Sequence, residues 1–312
     1  MQKDLLPELF KIPGLGINIW TFGVALDVAA IGAVLVIGRL GRRDGLPSRQ
    51  LYTVLVWAGL ASFAGAQVLA IAGSPQPANF RQFWSLGRPH GSGSSFDALL
   101  IMLPVSALFA RAFALPSWKS LDVFAPGLAL ASAVARLGCL AAGCCWGVAT
   151  DSWIGMRFTE RAHHLTGVPT DNPLVPTQLI SSAACFLIFV LLLVLRRRRA
   201  FSGQIVLVYL ILYSSACLTI GIWRDEPGAR SFGLSTTQLT SASTILLSVV
   251  LYSSACCKGR HRQTPDCRDR GPSLQPVLST STHLLAPERS HRISFCSPPG
   301  RQVAREHRHG TQ

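Results

Sequence analysis

The sequence predicts an all-α membrane protein that crosses the bilayer about seven times. Apolar residues make up 49% of the chain and charged residues only 14%, and the mean hydropathy is +0.36. Several windows with almost no charge reach the roughly 20 residues that a helix needs to span the hydrocarbon core. We expect these spans to be helical because isolated strands leave backbone groups unsatisfied in lipid.

Seven windows meet this length. In chain order they are Asn18–Gly38, Leu51–Ala72, Asp97–Leu115, Ser120–Gly143, Thr177–Leu195, Gly203–Trp223 and Ser235–Cys256. The third and fourth windows each contain a proline and an arginine, so their apolar character is weaker. We expect residues 1–256 to form a single transmembrane domain.

The basic residues predict how these helices are oriented. They concentrate in the first, third and fifth connections, at Arg39, Arg42, Arg43, Arg49, Arg111, Lys119 and Arg196 to Arg199. Cytoplasmic loops carry such an excess of Lys and Arg, so the N-terminus is predicted to lie outside and the C-terminus in the cytoplasm. Topology then accounts for much of the net charge of +14, and no nucleic-acid partner is predicted. A cleavable signal peptide is not expected, because Asp4 and Glu8 precede a first apolar run that is too long.

Residues 257–312 have a different composition. They hold ten Lys and Arg against four Asp and Glu, a net charge of +6, and no apolar run long enough to span a bilayer. Such a segment buries too little apolar surface to order itself, which predicts a disordered cytoplasmic tail. Its cations suit the anionic inner surface of a membrane, although a tail without function is an equal alternative.

Arg136 is the residue that says most about function. It lies inside the otherwise apolar stretch Ala125–Cys145. A guanidinium does not lose its proton, and its burial in hydrocarbon is costly unless it faces a partner or a wet cavity. An anionic ligand within the membrane would be such a partner. The alternative is an arginine that binds helix carbonyls or extends to the interface.

The cysteines do not predict a metal site or any other cofactor. Nine occur in the chain, and five lie in or at the ends of apolar spans: Cys139, Cys144, Cys145, Cys185 and Cys217. Buried thiols usually act as small packing residues. Adjacent cysteines are awkward ligands for one metal ion, and no histidine stands beside them at ligand spacing. Formation of a disulfide bond is an alternative if this end of the fourth span faces an oxidising compartment.

Two connections hold further candidates. His90 and Gly91 lie between the second and third windows, in a segment rich in Gly, Pro and aromatic residues. His90 could exchange protons near neutral pH, or it could be an exposed loop residue. Gln178, near the start of the fifth window, could receive an anion together with the first free amides of the helix. Thr177 could instead simply cap that helix.

These motifs together resemble the prolipoprotein diacylglyceryl transferase family. The family signature reads Arg-Ile-Gly-Asn, four residues that include a Gly, and then Glu-x-x-Gly; its counterpart here is Arg136-Leu137-Gly138-Cys139 followed by Gly143-Cys144-Cys145-Trp146-Gly147. The other matching segments are His90-Gly91, Pro176-Thr177-Gln178-Leu179, Tyr213, Trp223-Arg224 and Gly233-Leu234-Ser235-Thr236-Thr237-Gln238. They appear in the family's order and cover roughly residues 15 to 255.

The resemblance implies a reaction and a place for it. Members of this family transfer a diacylglyceryl group from phosphatidylglycerol to the lipobox cysteine of an exported prolipoprotein, in the bacterial plasma (inner) membrane. By resemblance, Arg136 stabilises the charge that develops on the phosphate, and His90 takes the proton of the incoming thiol. The residues that would line or shape the substrate site are Gly91, Cys139, Gly143, Gly147, Gln178 and Tyr213.

The sequence also departs from the family pattern. Four and eight residues after Tyr213, where the family has Arg and Glu, it has Cys217 and Gly221. Cys144 replaces the signature Glu, and Ser92 replaces a loop Gly. A second phosphate-binding guanidinium is therefore expected to be missing. The alternative function is that of a phospholipid-binding membrane protein of the same fold with impaired catalysis. A transporter-like use of Arg136 is disfavoured, because acidic residues within the spans are nearly absent.

Overall fold

The computed structural model describes residues 8–12, 17–72, 94–224 and 235–263. A short antiparallel hairpin comes first, in which β1 (Glu8–Ile12) pairs with β2 (Ile17–Trp20). The helices of the described residues are α1 (Thr21–Arg43), α2 (Ser48–Ala72), α3 (Ser94–Ala112), α4 (Ser117–Ala142), α5 (Glu160–Thr166), α6 (Thr177–Arg196), α7 (Gln204–Ile220) and α8 (Thr236–Gln263).

All seven predicted windows coincide with long helices, and the predicted helical membrane fold is confirmed. Within the described ranges, four helices are long and apolar enough to cross a membrane: α1, α4, α6 and the Thr237–Cys257 part of α8. Shorter apolar helices are α7 and the Ile101–Ala112 part of α3. Most boundaries differ by a few residues, including the start of the first window and the end of the last. Residues 18–20 belong to β2 rather than to a helix, and α8 continues past Cys256 to Gln263.

Helix α4 is the central helix of the bundle. In the most apolar window of α4, 67% of the residues are buried. The corresponding share is 22% for α1, 28% for α6 and 11% for α8. It packs against α1, α3, α6 and α7, while the other helices expose apolar side chains of the kind that face lipid. The central position of α4 carries Arg136 into the interior of the bundle.

Close approach of α1 and α4 depends on small residues. A Cβ on Gly127 would lie 2.6 Å from Cγ1 of Ile37, and a Cβ on Gly138 would lie 2.7 Å from that of Ala25. Glycine at such contacts lets two helix backbones pack closely in a membrane. Gly138 of the signature therefore fixes α4 against α1 two residues beyond Arg136.

Contacts between the predicted cytoplasmic connections define one end of the bundle, called here the arginine-rich end. Arg196 forms an ion pair with Asp44 at 2.7 Å and donates to the carbonyls of Asp122 (3.1 Å) and Leu40 (3.3 Å). Arg199 also pairs with Asp44, at 2.9 Å. The basic connections thus meet at one end, as the orientation prediction requires. Which side of the membrane this end faces stays a prediction.

Asp122 of α4 caps helix α7 from across the bundle. Its carboxylate oxygens accept from the backbone amides of Gly203 (2.7 Å) and Val206 (3.0 Å), and its side chain is buried. We expect Asp122→Ala to lower the free energy of unfolding by about 1–3 kcal/mol, because two buried donors lose a charged acceptor. Thermal unfolding in detergent measures this effect. Asp151→Ala, at an exposed position, is the matched control and should leave the midpoint unchanged.

The opposite end of the bundle is shaped by residues 143–176, which fold back on themselves. A small apolar cluster there joins Phe158, Ala162, Val168 and Leu174, and α5 supplies one of its members. Leu174 also forms bridges with Ala149 and Met156. Neither α5 nor this folded connection was predicted, because each element is too short to show a periodic pattern.

Candidate active site

A cavity of about 420 Å³, including the space at its mouth, lies among α4, α6, α7 and α8. Its lining residues are Arg136, Ser181, Cys185, Tyr213, Ala216, Cys217, Ile220, Gly221, Arg224 and Thr237. Arg136 lies within the bundle but stays partly accessible from this space.

Among the residues that the structure describes, no carboxylate forms an ion pair with Arg136. The side chains that interact with it electrostatically are Tyr213, Cys145, Cys139 and Cys217, which are hydroxyl and thiol groups. Ion pairs among the described residues join Asp44 to Arg196 and Arg199, far along the chain from this cavity. A cation removed from bulk water and surrounded by neutral groups strongly favours an anionic ligand.

Tyr213 holds the guanidinium in place. Its hydroxyl accepts a hydrogen bond from Arg136, and its ring packs against that of Tyr209 with centroids 5.6 Å apart. Both tyrosines are buried. Because its partner side chain is itself fixed by packing, Arg136 reaches the cavity with little freedom to reorient.

Arg224 brings a second guanidinium to the same cavity. Helix α7 ends at Ile220, and the chain then turns so that Arg224 forms a bridge with Gly147. Gly147 permits this contact: a Cβ there would lie 2.7 Å from the carbonyl oxygen of Trp223 and 2.8 Å from that of Val175. Cys217 and Gly221 also line the cavity, as expected from the sequence, and Arg224 adds a guanidinium that was not expected there. The expectation rested on helical spacing from Tyr213, whereas Arg224 lies beyond the helix.

The signature loop after α4 is held by the start of α6. The Thr177 hydroxyl donates to the carbonyl of Cys145 at 2.7 Å, and Nε2 of Gln178 donates to that of Cys144 at 2.7 Å. Thr177 thus binds this loop, and α6 has no side-chain cap. Gln178 is buried and is not one of the residues that line the cavity, which gives it a positioning role.

Gly143 ends α4 with φ +75°, a left-handed conformation that suits glycine. Its carbonyl accepts from the Thr166 hydroxyl at 2.9 Å. Cys145 follows with φ +62°, which is rare for a residue with a side chain and costs roughly 1–2 kcal/mol. This turn directs the chain from α4 towards the bridge between Gly147 and Arg224.

The turn also gathers three thiols. The Sγ atoms of Cys139, Cys144 and Cys145 all lie within 4.8 Å of one another. Hydrogen bonds from the thiols of Cys139 and Cys144, with the cations Arg224 and Arg136, lower the pKa of the Cys145 thiol. The pKa of Cys144 is raised, because its thiol serves as a donor to its neighbours. Sequence reasoning did not anticipate this convergence, since adjacency alone suggests side chains that point apart.

The motif before α8 forms a reciprocal cap. The Ser235 amide donates to Oε1 of Gln238 at 3.0 Å, and the Gln238 amide donates to the Ser235 hydroxyl at 3.2 Å. This is a capping box. It sets the first turn of α8 against the cavity, where Thr237 is a lining residue.

Comparison with known proteins identifies the family. Residues 7–254 match the family model of prolipoprotein diacylglyceryl transferases. The chain belongs to this family. The predicted resemblance to this family is thereby confirmed over residues 7–254.

Two relatives are similar to this chain over nearly their full length, and a third over about half of its length. The phosphatidylglycerol–prolipoprotein diacylglyceryl transferase of Clostridium tetani is 26% identical over 252 residues, which cover 80% of this chain and 97% of that protein. A second enzyme of the same name, from Clostridium perfringens, is 28% identical over 263 residues, covering 83% of this chain and 98% of its own length. A third, from Dehalococcoides mccartyi, is 30% identical over 132 residues, or 42% of this chain and 49% of its own length.

The predicted site residues fall into three groups in this family member. Arg136 and Tyr213 line the cavity, as do Cys217 and Gly221. The residues that shape the adjacent loop and its contacts are Cys139, Gly143, Gly147 and Gln178. The last two, His90 and Gly91, lie outside the described residues, so their roles stay predictions.

Proposed function

We propose that this chain transfers a diacylglyceryl group from phosphatidylglycerol to the lipobox cysteine of an exported prolipoprotein in the bacterial plasma membrane. The observation that carries the proposal is one cavity lined by two guanidinium groups, those of Arg136 and Arg224. Family membership and near full-length similarity to enzymes with this name support it. The phosphate of the lipid is the anion that such a cavity favours.

The reaction is a displacement at the glyceryl carbon. The sulfur of the incoming thiolate forms a C–S bond, the C–O bond to the phosphate breaks, and glycerol phosphate leaves with the electron pair. A base takes the thiol proton, because the thiolate is the nucleophile. We propose His90 for this proton by its place in the family's motif. The product is a thioether, and the reaction needs no metal or cofactor.

Arg136 and Arg224 would stabilise the charge that develops on the departing phosphate. A planar guanidinium can donate two parallel hydrogen bonds to phosphate oxygens. In a site that excludes water, fixed donors of this kind supply a large part of the lowering of the barrier. Arg224 would thus take over from the arginine that the family carries at the position of Cys217.

The proposal is tested with membranes that contain the unmodified chain. A lipobox peptide incubated with these membranes and phosphatidylglycerol should gain the mass of one diacylglyceryl group, joined through its cysteine sulfur. Phosphatidylethanolamine should not replace the donor, and a peptide with serine at the lipobox position should not react. Transfer that is equally fast from phosphatidylethanolamine would contradict the proposed substrate.

A second candidate is a phospholipid-binding protein without catalysis. Cys217 and Gly221 favour it, because they stand in the cavity where the family has an Arg and a Glu. Binding of phosphatidylglycerol with no transfer to the peptide would select this candidate. Rescue of a bacterium depleted of its own transferase would exclude it.

Gly147 offers a test of the way Arg224 is placed. Gly147→Ala puts a Cβ within 2.8 Å of two backbone carbonyls, so the bridge to Arg224 must shift. We expect kcat/KM to fall by up to about 10²-fold, since a displacement near 1 Å can cost that much. Peptide lipidation measures it. The matched control is Gly59→Ala, where a Cβ meets nothing within 4 Å and activity should not change.

A further inference from the structure

The thiols of Cys139, Cys144 and Cys145 form a cluster beside the cavity. The proposed transfer reaction does not use these thiols as reacting groups. Cys139 belongs to the last turn of α4, and Cys144 and Cys145 follow the end of that helix. Their Sγ atoms lie within 4.8 Å of one another. Cys139 and Cys144 are buried, and Cys145 is partly buried. Three convergent sulfur atoms in a protected position are an arrangement that can hold a metal ion.

The backbone around the cluster is fixed before any ligand arrives. The Cys144 amide donates to the carbonyl of Cys139 at 3.1 Å, and Cys145 keeps a left-handed φ of +62°. Behind them, Gln178 and Thr177 bind the carbonyls of Cys144 and Cys145, both at 2.7 Å. Contacts of this kind hold the ligand side chains in position at metal sites. They also explain how two adjacent cysteines can point towards one centre.

We propose that Cys139, Cys144 and Cys145 bind one copper(I) ion through their three sulfur atoms. Thiolates are soft ligands and select soft ions, with copper(I) and zinc(II) as the main candidates. Structural zinc sites are closed by four protein ligands, and the group found in the described part of the chain supplies three ligands, all of them sulfur. A three-coordinate copper(I) centre fits this set without a further protein ligand.

The charges around the cluster suit such a centre. Three thiolates and one copper(I) ion carry a net charge of −2. Arg224 and Arg136 are the cations that act on Cys145, so two positive charges stand beside the anionic complex. An anionic metal–thiolate group is costly to bury without such partners, and the same two arginines therefore serve the cluster as well as the cavity.

The test uses the full chain, purified in detergent with its thiols reduced and without oxygen. The background variant replaces the four cysteines nearest the C-terminus in sequence with serine: Cys256, Cys257, Cys267 and Cys296. Copper(I) is titrated against a chromogenic copper(I) chelator, and X-ray absorption reports the atoms that bind the metal. We expect one ion per chain with three sulfur neighbours.

Variants of the cluster decide the result. Cys139→Ser and Cys145→Ser should each weaken copper(I) binding at least 10-fold, while Cys185→Ser, at another buried thiol near the cavity, should not. Thermal unfolding shows whether each variant is folded. If a serine variant does not fold, Cys145→Ala is tested in its place. Copper binding that survives loss of the cluster, nitrogen or oxygen neighbours, a stable disulfide within the cluster, or tighter binding of zinc(II) would each overturn the proposal.

Discussion

Membranes that contain the Arg136→Ala variant will lipidate a lipobox peptide at least about 10²–10³-fold more slowly than those with the unmodified chain, the loss expected when a fixed donor to a developing charge is removed. Arg136 reaches the cavity from the most buried helix of the bundle and is held there by Tyr213. Initial rates of peptide mass gain measure the effect.

Two controls separate loss of chemistry from loss of fold. Arg198→Ala removes an exposed guanidinium at the arginine-rich end, and its rate should equal that of the unmodified chain. Thermal stability of Arg136→Met should be kept or raised, because an apolar side chain of similar length replaces a partly buried cation. Arg136→Lys should recover only part of the activity, since an ammonium lacks the planar fork of donors. Near-normal transfer by a folded Arg136→Ala variant would refute the assigned role.

Arg224→Ala will reduce kcat/KM by a similar factor, about 10²–10³. Its guanidinium is the second cation of the cavity, and we assign it the phosphate contact that the family makes from the position of Cys217. The variant is assayed with phosphatidylglycerol in excess and again at limiting concentration, so that effects on binding and on turnover are separated.

Arg157→Ala is the matched control for Arg224, because Arg157 is an exposed arginine of the folded connection at the same end of the bundle. It should leave transfer unchanged. In the double variant Arg136→Ala/Arg224→Ala, the loss should be smaller than the product of the two single losses, since groups that act on one phosphate are not independent. An Arg224→Ala variant with full activity would show that one arginine is sufficient.

The sequence was informative where a single property decides structure. Length and hydropathy located the long helices, and one charge in the apolar stretch Ala125–Cys145 located the cavity. Helix α1 begins three residues later than predicted, because Ile17–Trp20 forms strand β2 and pairs with β1. A short hairpin leaves no periodic pattern long enough to compete with an apolar run, so it could not be predicted.

Residues placed by turns were the ones that sequence reasoning missed. Counting in steps of four from Tyr213 assumes a continuous helix, but α7 ends at Ile220 and Arg224 is positioned by its bridge to Gly147. The Trp223-Arg224 pair after an apolar run was the available signal. The thiol cluster likewise depends on the left-handed φ of Cys145, which no property of adjacent cysteines implies.

We expect Arg136 and Arg224 to hold the phosphate of phosphatidylglycerol between them. A cryo-electron microscopy structure of the chain in nanodiscs made of this lipid tests it most directly. This arrangement predicts a phosphate in the cavity with oxygen atoms about 2.7–2.9 Å from nitrogen atoms of both guanidinium groups, the usual length of such charge-assisted bonds. A cavity filled by acyl chains, with the lipid phosphate bound elsewhere, would contradict it.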